Sequence, residues 1–153
     1  MKMLAMPVLF LGLMAAARGR AEEKLPIRQI PDERLLGDWT LVSFQRDGQE
    51  LAPHGLVWTI CEEAITTSLQ VSGGTPTKVA ALPYRVNPNP KHWEIDLEPN
   101  SPPNRGKVVQ GIYRLQGDTL TCCFEIIARN ERPTRFESAP GTNREVVKLR
   151  RLP

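Results

Sequence analysis

Residues 109–126, VQGIYRLQGDTLTCCFEI, carry the pattern that decides the fold. Val109, Tyr113 and Leu115 fall on one side of an extended chain, with Gly111 between them, because strand side chains alternate with a period of two. Gly117-Asp118 follows, a pair suited to a tight hairpin turn. Beyond it Leu120, Cys122, Phe124 and Ile126 alternate with Thr119, Thr121, Cys123 and Glu125. An apolar period of two on both sides of a short turn predicts an antiparallel hairpin with one buried face.

The same period extends outward in both directions. Trp93, Ile95 and Leu97 alternate with His92, Glu94, Asp96 and Glu98, and Leu82, Tyr84 and Val86 form the run before them. Leu56, Trp58 and Ile60 alternate with Val57, Thr59 and Cys61, and Val147 and Leu149 close the chain. The pattern predicts strands near 38–46, 56–61, 64–71, 79–86, 92–98, 107–115, 119–127 and 144–151. Leu41-Val42 puts apolar groups on both sides of the first strand, which a bulge or burial of both faces would explain. Asp32 after Pro31 fits the cap of a short helical turn. No long helical period separates the strands, so a parallel α/β sheet is excluded. Eight short-looped antiparallel strands with one apolar face predict an all-β, up-and-down barrel, closed so that no edge is exposed; a two-sheet β-sandwich is the alternative.

The chain has 153 residues, 41% of them hydrophobic and 24% charged, which suits one globular domain. Its net charge of +3 is concentrated at the start. Met1-Lys2-Met3 is followed by an apolar run from Leu4 to Ala17 and then by small residues. That layout predicts a secretory signal peptide over 1–21, with cleavage after Ala17 or Ala21; the run is too short, and too interrupted by Pro7 and Gly12, for a membrane span. The leader holds Lys2, Arg18 and Arg20 and no acidic residue, so residues 22–153 carry 17 basic and 17 acidic side chains. That balance does not support a nucleic-acid footprint. The expected organisation is the leader, a lead-in at 22–34 and a barrel domain at 35–153, in a secreted or periplasmic protein.

Several short stretches, taken in order, resemble a known family. Leu36-Gly37-Asp38-Trp39 with Val42-Ser43 is similar to the Gly-x-Trp signature of lipocalins. Asp47-Gly48, Tyr84-Arg85-Val86, Ile95-Asp96-Leu97, Gly111-Ile112-Tyr113, Gly117-Asp118-Thr119-Leu120, Cys123-Phe124, and Arg132-Pro133-Thr134 with Phe136 resemble the planctomycete lipocalin-like domain family. The resemblance runs from about residue 35 to residue 151 and implies a lipocalin-like barrel in a secreted bacterial protein; it brings no established activity and no transferable site. It further implies that Trp39 closes one end of the barrel and that an Arg of the last strand packs over it. Arg151 shares phase with Val147 and Leu149 and fits that role, with Arg150 as the alternative.

The remaining chemistry-bearing residues point to no reaction. Cys61 could pair with Cys122 or Cys123, which secretion permits and which makes the three disulfide candidates; three small buried or half-buried residues are the more ordinary reading. His92, Glu94, Asp96 and Glu98 share one strand face and could ligate a divalent cation, although a solvated outer face is the more ordinary reading. Arg129, Arg132 and Arg135 could receive an anion, against an ordinary loop in which Arg132-Pro133 orders a turn and Phe136 covers the core. No nucleophile elbow, zinc-protease helix, phosphate loop or Cys-x-x-Cys is present. No catalytic residue, metal or cofactor is therefore expected. The resemblance to lipocalins implies the binding of a small apolar or amphipathic ligand inside the barrel, with the inward-phase Trp58, Tyr84, Trp93, Tyr113 and Phe124 as candidate contacts. The alternative is a cell-envelope interaction module with a side-chain-filled barrel, acting through the 99–106 and 128–143 loops.

Overall fold

A computed structural model of the chain describes residues 32–89 and 91–153. The signal peptide expected over 1–21 and most of the lead-in lie outside the described residues. A 3-10 turn, Glu33–Leu35, comes first, with Asp32 as its cap accepting a hydrogen bond from the Arg34 N–H. Nine strands follow: β1 (Gly37–Arg46), β2 (Gln49–Leu51), β3 (Leu56–Ile60), β4 (Ala64–Leu69), β5 (Thr77–Asn87), β6 (Trp93–Leu97), β7 (Val109–Gln116), β8 (Thr119–Glu125) and β9 (Arg144–Arg151).

Each of β3 to β9 pairs antiparallel with its neighbour in the chain, β1 pairs with β3, and β9 returns to pair with β1. The fold is thus a closed eight-stranded up-and-down antiparallel barrel with one extra strand, and the sandwich alternative falls away. Register keeps one phase inside around the whole circuit: Trp39 faces Trp58, Ile60 faces Ile65, Tyr84 faces Leu97, Tyr113 faces Cys122, and Leu120 faces Leu149. These side chains form one buried apolar core.

The extra strand explains the ambiguity in the first run. β1 leaves β3 after Thr40 but stays paired with β9 on its other edge from Trp39 to Arg46, with a register shift between Leu41 and Ser43. The extra residue turns Val42 outward, where it is 39% exposed, and returns Phe44 to the inner phase opposite Val147. The place that β3 vacates is taken by β2, joined to β1 through Asp47-Gly48, both at positive φ as a tight hairpin turn of this hand requires. Gly111 serves packing instead: a Cβ there would stand 2.4 Å from the Phe124 ring.

The segment between β8 and β9, an ordinary solvated loop by its sequence, is a strap bound to the outer wall. Glu125, 2% exposed, accepts backbone N–H bonds from Gln110, Arg129 and Glu131. The Asn104 side chain ties the 99–106 loop to the strap's start, donating to the Ile126 carbonyl and accepting from the Ala128 N–H. Arg132 donates to the Gly111 carbonyl at 2.7 Å and pairs with Asp96 at 2.7 Å and Glu94 at 3.7 Å. Outward-facing Ile112 and Cys123 are consequently buried.

Candidate functional site

The two ends of the barrel differ in what fills them. At one end Trp39 is completely buried and donates its indole N–H to the Leu35 carbonyl at 2.8 Å. The Arg151 guanidinium lies 4.2 Å over its ring, a favourable cation–π arrangement, and donates to the carbonyls of Leu36 and Arg34. Tyr113 reaches the same end from β7 and donates its hydroxyl to Asp32 at 2.9 Å. Asp32 also receives two bonds from the Arg34 side chain, at 2.9 and 2.8 Å. The Arg34 hydrogen bond leads in holding the Asp32 carboxyl below the usual carboxylate range, against the opposing effect of burial. Burial and the Asp32 carboxylate push the Tyr113 phenol far up. The 3-10 turn is therefore a lid, fastened through Asp32, Leu35 and Leu36 to Tyr113, Trp39 and Arg151.

The other end is open. A cavity of about 260 Å3 lies inside the mouth. Its apolar wall includes Leu41, Phe44, Leu56, Trp58, Leu82 and Phe124, and Thr67, Arg46 and Glu145 supply its polar groups. Arg46 and Glu145 are register partners on β1 and β9, joined by bonds of 3.1 and 2.9 Å from Nε and Nη2 to one carboxylate oxygen. Burial raises the Glu145 carboxyl above its ordinary value, and Arg46 opposes the rise. Trp58 is 7% exposed, and its indole Nε1 is buried without a hydrogen-bond partner among the described residues. An orphaned buried donor costs free energy on the order of 1–3 kcal/mol until something accepts from it.

The residues expected to contact ligand divide between the two ends. Trp58 and Phe124 line the mouth, with ring centroids 6.4 Å apart. Tyr84 is tied off, its hydroxyl donating to the Cys61 carbonyl at 2.8 Å and its phenol pushed up to about 12 by burial. Tyr113 belongs to the closed end, with Trp93 at 6.0 Å from its ring. Trp93 is a correction: it keeps the inner phase of β6 but sits at the strand's first residue, beyond the core, and is 38% exposed.

The candidate disulfide is also corrected, since all three thiols are free. Cys61 is exposed at the β3–β4 turn, Cys122 is inside the barrel, and Cys123 is outside it under the strap, with its sulfur 3.8 Å from the Glu137 carbonyl. Burial raises both buried thiols, Cys123 to about 11. The carboxylates considered for a cation are otherwise engaged: Glu94 and Asp96 hold Arg132, and Glu98 pairs with Arg85 at 3.1 Å. Among the described residues no group of three or more His, Cys, Asp or Glu could hold a metal ion. Of the three arginines considered for an anion, Arg132 is spent on that pairing and Arg135 lies 3.9 Å from Glu137; Arg129 gives only its backbone N–H to Glu125.

Sequence reasoning missed the mouth's polar residues. Thr67, Arg46 and Glu145 all lie in the inner phase of their strands, where a polar residue among apolar ones was the available signal. No helix of the described residues is long and apolar enough to cross a membrane. Comparison with known protein families and with curated proteins finds no match for this chain.

Proposed function

We propose that this is a secreted lipocalin-like protein that holds a small, mostly apolar ligand in the mouth of its barrel. The observation that carries the reading is the mouth cavity with its apolar wall, to which Leu41, Phe44, Leu56, Trp58, Leu82 and Phe124 contribute. At about 260 Å3 it lies just below the usual range for ligand pockets, roughly 300–1,000 Å3, which favours a compact ligand. Arg46 and Glu145 satisfy each other at the rim, so the mouth offers no net charge and suits an uncharged or amphipathic molecule. The apolar leader at Leu4 to Ala17 supports secretion, and the ordered short matches from Gly37-Asp38-Trp39 onward support the lipocalin-like assignment. The alternative of an envelope interaction module with a side-chain-filled barrel, working through its surface loops, has less support, because the mouth holds a cavity of about 260 Å3.

Native mass spectrometry of protein purified from its source tests the reading. A co-purifying small molecule, lost from a variant in which Leu56→Trp fills the mouth, is the expected result. A chain of bare polypeptide mass that takes up no apolar probe would overturn it.

A further inference from the structure

A second cavity lies at the closed end, outside the Trp39 plug, and its chemistry is unlike that of the mouth. β6 begins at Trp93, opposite Tyr113, whereas β7 runs on to Gln116. The strand positions missing opposite Leu115 and Gln116 leave a hollow of about 310 Å3, lined among others by Arg34, Lys91, His92, Trp93, Arg114 and Phe136. No carboxylate is among the lining residues. Arg34 is committed to Asp32. Lys91 and Arg114 have no carboxylate within 4.0 Å among the described residues, so two positive charges face the hollow uncompensated.

Aromatic faces accompany those charges. The Arg114 guanidinium lies 4.9 Å over the Phe136 ring and the Arg34 guanidinium 5.5 Å over Trp93. Trp93 leaves 38% of its surface in solvent, although its phase on β6 is the inner one. An exposed indole beside unpaired cations offers stacking and charge to the same molecule. A bare inorganic anion would use only the charges, an uncharged aromatic only the rings, and a cation would meet repulsion.

We propose that this hollow binds a small aromatic anion, its flat body against Trp93 and Phe136 and its phosphate or carboxylate head toward Lys91 and Arg114. The site is separate from the mouth and does not depend on a ligand there.

Phenyl phosphate is the probe, titrated into the 15N-labelled full chain while the indole N–H resonances of its three tryptophans are followed. Trp93 lines the hollow, Trp58 the mouth and Trp39 the plug, so the resonances report where the probe sits. A saturable shift of Trp93, with Trp58 and Trp39 unmoved, is expected. Inorganic phosphate and phenol should each bind at least about tenfold more weakly, and added salt should weaken phenyl phosphate. Arg114→Gln and Lys91→Gln, both at exposed side chains, should each cost about tenfold in affinity. An unmoved Trp93 resonance, inorganic phosphate binding as well as phenyl phosphate, or wild-type affinity in both variants would overturn the proposal. Melting curves of the two variants separate lost binding from lost structure, and should either variant unfold, the other decides.

Discussion

The closed end and the mouth are built from the same eight strands and the same inner phase, yet they hold different things. At the closed end the polar groups of the plug are answered: the Trp39 N–H by the Leu35 carbonyl, the Tyr113 hydroxyl by Asp32, and Arg151 by two carbonyls and a ring face. At the mouth a buried tryptophan N–H goes unanswered beside an apolar hollow. A barrel of eight strands is just wide enough to be filled by side chains or to hold one small ligand. Here the two outcomes occur at opposite ends of one barrel. The chain path also differs: towards the mouth β1 pairs with β3 only as far as Thr40 and with β2 beyond Ser43, while the 3-10 turn before β1 is fastened across the other end.

The contrast can be broken most severely at the plug. Trp39→Ala removes a fully buried indole and should cost about 3–5 kcal/mol, read from urea unfolding. An unchanged midpoint would mean that Trp39 does not close the barrel. Tyr113→Phe strips the hydroxyl from Asp32 at the same end and should cost about 1–2 kcal/mol. Phe44→Ala, at the rim of the hollow, should cost about 1 kcal/mol or less, because Phe44 is only half-buried and its loss enlarges an existing space. Equal losses for Trp39→Ala and Phe44→Ala would erase the distinction between plug and mouth.

Acid separates the ends by sign. Asp32 has a folded-state pKa below its unfolded value, so it contributes stability at neutral pH that is lost as the pH falls below about 4. Glu145 has a folded-state pKa raised chiefly by burial, so its ionised form costs stability at neutral pH and the cost fades as the pH falls through the raised value. Asp32→Asn should therefore lower stability at pH 7 by about 1 kcal/mol and flatten the acid loss. Glu145→Gln should stay within about 0.5 kcal/mol of the parent chain at pH 7, since its partner Arg46 is half exposed and loses little. Unfolding curves from pH 3 to pH 7 check both signs, and a larger neutral-pH loss for Glu145→Gln would reverse the assignment.

The fold was legible because its signal is a period. Alternation around Gly117-Asp118 and along Trp93–Leu97 located strands to within two or three residues, and the doubled apolar pair Leu41-Val42 marked the bulge that the register shift contains. What escaped the sequence was three-dimensional. β2 has only three residues, all exposed, and no apolar period to announce it. The strap carries no strand pattern, so nothing in its sequence revealed that Arg132 would reach Asp96 or that Cys123, in the outward phase, would be covered. The candidate site was legible in part. Trp58 and Phe124 were identified by bulk and phase, but phase cannot tell one end of a barrel from the other, so Tyr113 and Trp93 were grouped with them.

The central claim is that the mouth, and not the closed end, accepts a small apolar molecule. The most direct measurement is an indole N–H titration of the 15N-labelled chain with naphthalene, an uncharged probe of suitable size. A saturable shift confined to Trp58, abolished by Leu56→Trp, is the result expected; a silent Trp58, or equal movement of Trp39 and Trp58, would contradict it.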